Sequence, residues 1–229
     1  EKTILPIIEL GKKLGIETPH TIELYDNSNI QGAYAVAGMV VYKDGVPSKK
    51  DYRKYKIKTV EGPDDYASMK EVIYRRYYRL LMEQKEMADL IIVDGGLGQI
   101  KVPKEVIDGL NLPVHICGLS KDDKHSTAML LDENGNQVPI DTKSPLFFLL
   151  TRMQDEVHRY AISFHRQVRS KSLFSSILDE VDGIGEARKK KLLNHFKSVK
   201  KMKEASLEEL EAVIPKNTAL KLYEVLHKE

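Results

Sequence analysis

Across its 229 residues the chain has one cysteine, no tryptophan and five phenylalanines. A single thiol excludes an internal disulfide framework. Cys117 lies within the apolar segment Val114–Leu119, which suits a buried position in a reducing, cytoplasmic setting. Long hydrophobic runs are also missing: none approaches the ~20 residues a membrane helix requires. Nothing at the start reads as a signal peptide. The chain opens at Glu1 without methionine, as expected of a fragment of a longer protein. A dominant charge is absent too, since 36 Lys and Arg against 34 Asp and Glu leave +2. Bulk charge therefore does not announce a polyanionic partner.

What is present is local. Arg75-Arg76, Arg166 to Lys171 and Arg188 to Lys191 are basic clusters of the kind phosphate binding requires. Taken singly, each reads by default as a solvated helix face. The length and a 41% hydrophobic fraction suit one α/β domain with a smaller second unit.

The chain is organised around LIIVDGGLGQ, Leu90 to Gln99. Four consecutive apolar residues followed by Asp94-Gly95-Gly96 read as a strand buried on both faces, stopped by a glycine turn. Asp94 thus falls at the carboxyl end of a central strand, where open α/β sheets hold ligands. Alone it reads more readily as the cap of the next helix. No G-x-G-x-x-G is present, and an acid before the glycines would repel a phosphate.

In chain order, Glu1 to Leu14 is helical and Thr21 to Tyr25 a strand that ends at Asp26. Gly32 to Tyr42 is a second strand, and Lys43-Asp44-Gly45 a hairpin turn. Val46 to Lys58 is a third strand with Tyr52, Arg53 and Tyr55 interleaved. After Gly62-Pro63-Asp64-Asp65 come a helix, Tyr66 to Glu86, the central strand, a helix from Leu97 to about Leu110, and a strand at Val114–Leu119. This order is that of an RNase H-like domain: a mixed five-stranded sheet flanked by helices. In that arrangement the first and fourth strands are parallel neighbours, and Asp26 and Asp94 lie side by side. Lys121 to Asp141 reads as a small hairpin or flap. Ser144 caps a long helix to about Ser172, on which Asp155, His158, Ile162 and His165 share a face flanked by Arg159, Arg166 and Arg169.

Two neighbouring aspartates and a histidine suit a hard cation, Mg²⁺ or Mn²⁺. Two such ions about 4 Å apart activate a water and stabilise the leaving oxygen of a phosphodiester. A lone histidine such as His158 is more often a helix-surface group.

The tail differs in composition. Phe174, Leu178, Ile184, Leu192, Leu193 and Phe196 form a separate small core. In VDGIGEARKKKLL, Gly183 and Gly185 precede a basic helix carrying Arg188 and Lys189. A G-x-G turn at a helix start binds phosphate without reading bases.

Several stretches, in order and over nearly the whole chain, together resemble the C-terminal half of the UvrC family, the incision subunits of bacterial nucleotide excision repair. They are ELYDNSNIQG, VVYKDGVPSKKDYRKYKI, GPDDYASMKEVIYRRY, LIIVDGGLGQ, RMQDEVHRYAISFHRQVRSKSLFSSILDEVDGIGEARKKKLLNHF and KEASLEELEAV. The resemblance implies an RNase H-like endonuclease domain, residues 1–171, and a tandem helix-hairpin-helix DNA-binding domain, residues 172–229. It implies cutting of the damaged strand on the 5′ side of a lesion, with a metal-binding triad at Asp26, Asp94 and His158. A further important aspartate falls at Asp65, a residue that reads independently as a helix cap. Lesion-bearing duplex DNA is the implied partner. UvrB, engaged mainly through an N-terminal half not in this chain, and indirectly UvrA, are the implied protein partners. Tyr52, Arg53, Arg75, Arg76, Arg166, Arg169, Lys171, Gly183, Gly185, Arg188 and Lys189 are the expected DNA contacts.

The chain departs from the family pattern in three places. Asn29 stands where a histidine is usual, Leu97 where a lysine is common, and Ile214-Pro215-Lys216-Asn217 replaces the second hairpin's glycine turn. Pairing of the hairpins should bury Val213, Leu220 and Leu222. Two other readings remain open: a catalytically silent DNA-binding and assembly module, suggested by Asn29, and an RNase H-like nuclease resembling endonuclease V, opposed by the hairpin tail.

Overall fold

The computed structural model describes residues 2–30, 34–60, 64–121 and 128–228, with only the backbone at 29, 30, 34, 121 and 128. Gly32, Gly62, Pro63, the Asn29 side chain and residues 122–127 of the expected flap lie outside it. The chain divides into two units, Glu1–His165 and Arg166–Glu229.

The first unit opens with helix α1 (Ile4–Leu14), then strands β1 (Thr21–Ile30), β2 (Tyr34–Lys43), β3 (Val46–Pro47) and β4 (Arg53–Lys56). Helix α2 (Asp65–Met82), strand β5 (Leu90–Asp94), helix α3 (Leu97–Gly109) and strands β6 (His115–Lys121), β7 (Ala128–Leu131) and β8 (Gln137–Val138) follow. Helix α4 (Pro145–Asp179) serves the first unit as far as His165 and the second from Arg166.

The strands form one mixed sheet in the order β3-β2-β1-β5-β6-β7-β8, with β4 also on β2. Among the described residues that is eight strands where the sequence suggests five. The expected third strand is broken: a 3-10 turn at Lys49–Asp51 separates β3 from β4. Pro47 lacks an amide for the ladder, and Ser48 Oγ bonds Asp51 Oδ2 at 2.5 Å, closing the turn locally. The Asn134-Gly135 hairpin adds β7 and β8 at the far edge.

Parallel pairing of β1 with β5 sets Tyr25 opposite Val93, so the next residues lie side by side: Asp94 at the end of β5, and Asp26 within β1, which runs on to Ile30 instead of ending at Asp26. Alternation along the strands then decides which way they point. Ile22, Leu24, Leu90 and Ile92 enter the core shared with α1 and α4, together with Leu146, Leu150, Met153 and Val157. Tyr25, Ile91 and Val93 enter the opposite core, with Val72, Ile73 and Tyr77 of α2 and Ile100 and Ile107 of α3. Asp26 and Asp94 continue the first set and face α4.

The α2 face hides a charge. Glu23, 2% exposed, accepts from Tyr25 Oη at 2.7 Å and Tyr77 Oη at 2.6 Å. It also accepts from Arg76 Nε at 2.8 Å and Nη2 at 2.6 Å. A buried carboxylate survives only when its acceptors are met in this way.

In the second unit, α4's last turns meet α5 (Glu186–Phe196), α6 (Val199–Glu204), α7 (Leu207–Glu211) and α8 (Lys216–Leu226). Phe174, Leu178, Ile184, Leu192, Phe196, Met202, Leu210, Ile214 and Leu222 form its core. Val213 and Leu193 are partly buried against it. Leu220 is not: it stays 47% exposed, because α8 turns Ala219, Leu222 and Leu226 inward instead. Ser198 caps α6, and Ser206 with Glu209 forms a capping box on α7.

Candidate active site

The sharp turn after β5 depends on Gly95, at φ +134°, a conformation L side chains rarely adopt. Its amide bonds Leu119 O at 2.8 Å, which stitches the end of β5 to β6 and leaves Asp94 exposed at the strand's tip.

Helix α4 reaches both carboxylates. His158 Nδ1 lies 2.9 Å from Asp26 Oδ2. A carboxylate only accepts, so Nδ1 carries the proton and Nε2 is left for solvent or substrate, the side chain being 64% exposed. One turn earlier, Gln154 Nε2 donates to Asp94 Oδ1 at 3.1 Å. Burial pushes the Asp26 carboxyl above its ordinary value. His158 pulls it back, and the neighbouring charge of Asp94 adds to the rise.

The helix can approach this closely because β2 presents Gly38 opposite Asp26. A Cβ there would stand 3.0 Å from Tyr160 Cδ1 and 3.1 Å from the Ala161 backbone.

Asp65 joins from α2. The helix cap is its neighbour Asp64, whose Oδ1 accepts from Ala67 N at 3.0 Å, so capping does not account for Asp65. Asn27 Nδ2 donates to Asp65 O at 3.2 Å, tying the start of α2 to β1. Asp26, Asn27, Asp65, Asp94, Tyr66 and Gln99 line one cleft of about 150 Å³.

Other residues singled out in the sequence are placed apart from this cleft. Asp155 is exposed beside Arg152 and Arg159 in a separate cleft; the residue directed at the carboxylates is Gln154, which carries no periodicity signal of its own. His165 is buried, its Nε2 without a hydrogen-bond partner. The DNA contacts proposed from basic residues divide. Arg76 is a correction: its guanidinium is consumed by buried Glu23 and is not a surface cation. Tyr52 is likewise half-buried, packing edge-on against Tyr160 at 5.1 Å with its hydroxyl buried. Arg75 holds Glu71 Oε2 at 3.1 Å and Lys56 O at 2.9 Å. Arg53 is exposed and donates to Lys50 O and Tyr52 O.

In the second unit Arg166, Arg169 and Lys171 are exposed. Gly183 and Gly185 lead into α5, with Gly185 at its N-cap. Arg188 is turned back onto Gly183 O, and Lys189 pairs with Asp179 and Glu186. These two side chains therefore hold the turn together, and the exposed lysines of α5 are Lys190 and Lys191.

A family model for the UvrC RNase H endonuclease domain matches residues 11–162, and one for the SAM-like helix-hairpin-helix tandem matches residues 175–228. The chain belongs to the UvrC RNase H endonuclease family. The order of the two matches is that of the C-terminal half of UvrC, and the chain carries a DNA endonuclease domain followed by a helix-hairpin-helix domain. Similar solved structures include Ciona intestinalis endonuclease V bound to an inosine-containing DNA. Identity there is 16% with a TM-score of 0.34, over 53% of this chain and 55% of that one. Human endonuclease V matches at 14% identity and a TM-score of 0.33, over 52% and 61% of the two chains. The nuclease domain of the large terminase subunit of bacterial virus Sf6, solved with manganese, matches at 11% identity and a TM-score of 0.28, over 52% and 46%. The matched segment thus spans roughly half to three-fifths of each of these chains. Among the described residues no helix is long and apolar enough to cross a membrane.

Proposed function

We propose that this chain makes the 5′ incision in damaged DNA during nucleotide excision repair, as a cytoplasmic, divalent-cation-dependent endonuclease centred on Asp26 and Asp94. The observation that carries the reading is the convergence of these two carboxylates on one face of the sheet, each held by α4.

Among the described residues no group of three His, Cys, Asp or Glu side chains is already gathered as a metal cage. The chemistry of the cleft nevertheless fits a hard cation. Asp26, Asp65 and Asp94 line it together, and Asn27 Oδ1 is a buried acceptor without a donor. A partly buried Asp26 next to Asp94 is disfavoured as an anion until positive charge arrives. Mg²⁺ or Mn²⁺ held by Asp26 and Asp94, with His158 and Asp65 as further candidates, would supply that charge and polarise the phosphodiester.

The chain's own groups do the rest. Asp26 fixes the His158 tautomer, so Nε2 of this exposed side chain is the nitrogen able to take or return a proton. Asn27 anchors the start of α2 and hence Asp65. In the second unit, the Gly183–Gly185 turn and the exposed Arg166, Arg169 and Lys171 supply backbone-phosphate contacts that read no bases. We assign residues from 172 onward to this DNA-holding role. UvrB, with UvrA upstream, would bring the lesion, since nothing in the cleft selects one.

The test is incision of a lesion-bearing duplex already nicked on the 3′ side and loaded with UvrB. This sequence, within its full-length subunit, is compared with Asp94→Ala. Cutting on the 5′ side that Asp94→Ala abolishes while DNA binding persists supports the reading. Equal cutting by both places the chemistry elsewhere, and binding without cutting by either makes the chain an assembly module.

A further inference from the structure

Gln154 is out of keeping with its surroundings. It is 9% exposed on the stripe of α4 that otherwise buries Leu150, Met153, Val157 and Ala161. A primary amide in such a place destabilises the fold unless it is hydrogen-bonded. Its bond is to Asp94 Oδ1 at 3.1 Å, and because an ionised carboxylate has no proton to give, the amide must present its nitrogen.

Four residues on, the same helix face delivers His158 to Asp26. Four helical residues rise about 6 Å, and neighbouring strands lie about 4.8 Å apart. One helix can therefore grip two adjacent strands, at the middle of β1 and the end of β5, with side chains one turn apart. The two grips differ in kind. His158 can carry charge and move a proton. Gln154 can do neither, so it orients Asp94 without neutralising it.

We propose that Gln154 is a positioning residue for the cation site: its amide fixes the Asp94 carboxylate while leaving the full negative charge for a divalent ion. The proposal rests on the cation reading given above. A cationic side chain at the same place would fix the carboxylate equally well but compete with the metal for its charge. An apolar side chain would leave Asp94 free to rotate. Losing such an outer partner of a ligating carboxylate typically weakens metal affinity 10–100-fold.

The test is Mn²⁺ titration of the 229-residue chain, followed by the loss of free-ion electron paramagnetic resonance signal. Gln154→Met, Gln154→Leu and Asp94→Asn are compared with the parent. Methionine matches the length of glutamine and leucine matches the apolar neighbours, so one covers for the other if folding suffers. Thermal unfolding in a chelator is measured alongside. Both Gln154 variants should bind Mn²⁺ at least about tenfold more weakly, with an unfolding midpoint in chelator equal to or above the parent's. Incision by the Gln154 variants should need more Mn²⁺ and recover as Mn²⁺ is raised. Parent-like Mn²⁺ affinity in the Gln154 variants, with Asp94→Asn weakened, overturns the proposal and leaves Gln154 a packing residue. Parent-like affinity in Asp94→Asn overturns the underlying cation reading instead.

Discussion

Replacing Glu23 by leucine should destabilise the first unit severely while leaving the active-site residues in place. The carboxylate is 2% exposed and accepts from three residues. Removing it strands the Arg76 guanidinium, whose side chain is only 15% exposed, and orphans two tyrosine hydroxyls. Breaking a buried ion pair from one side costs about 3–5 kcal/mol, and the hydroxyls keep the estimate near the upper half, about 4 kcal/mol. For a unit of about this size, ~2–4 °C per kcal/mol gives a fall of about 8–16 °C in melting temperature. Arg76→Met should cost a similar amount. The double variant Glu23→Leu/Arg76→Met should recover at least about 2 kcal/mol of the summed loss, since neither charge is then left alone. Urea denaturation of the four proteins measures this, with DNA affinity against salt measured in parallel. If Arg76→Met unfolds like the parent and instead flattens the salt dependence of DNA binding, Arg76 is a phosphate contact and the reasoning fails.

Three further outcomes follow from the same geometry. Gly38→Ala should cost about 1–3 kcal/mol and lower incision, because its Cβ would press on the unyielding Ala161 backbone at 3.1 Å and push α4 off Asp26; unchanged melting and activity would show that α4 is not seated on β2. Glu71, nearly buried, resists the desolvation that would raise its pKa: bonds from Thr59, the Lys58 amide and Arg75 hold it below its ordinary value of 4.5. Its contribution is thus complete above pH 4.5 and lost as pH falls through the lowered value, so Glu71→Gln should flatten the acid limb of a stability–pH curve. Asp26 has the opposite sign. Its raised pKa favours the folded state while protonated, an advantage lost as pH rises through that value. At neutral pH in chelator Asp26→Asn should therefore melt no lower than the parent, yet lose incision by at least about 100-fold, or ~2.7 kcal/mol; a lower melting point with retained incision would reverse the assignment.

The sheet edge was legible because two periodicities point to the same place. The apolar run Leu90 to Val93 marks a strand buried on both faces, and the structure distributes those residues alternately to two cores. Helical spacing put His158 on one face of α4, and only the family resemblance singled it out for the site. Gln154 was not legible, because one amide in an apolar stripe carries no pattern. Arg76 misled for a related reason. Its partner, Glu23, lies 53 residues earlier on another element, and sequence spacing does not report such pairings. The same holds for Arg188 and Lys189, whose partners are set by how the turn before α5 closes. Asp64 and Asp65 are adjacent carboxylates at a helix start, and only the hydrogen bond to Ala67 N distinguishes the cap from the cleft residue. The broken third strand was hidden by its interleaved aromatics, which read as one continuous ladder although Pro47 cannot donate to it.

On the proposed reading, Asp26 and Asp94 together gather a divalent cation. Crystals of the chain soaked in Mn²⁺ and measured at the manganese absorption edge test it without reference to activity. The expected result is an anomalous peak within coordination distance of both carboxylates that disappears in Asp94→Asn. Manganese bound elsewhere on the chain, with none between Asp26 and Asp94, would contradict it.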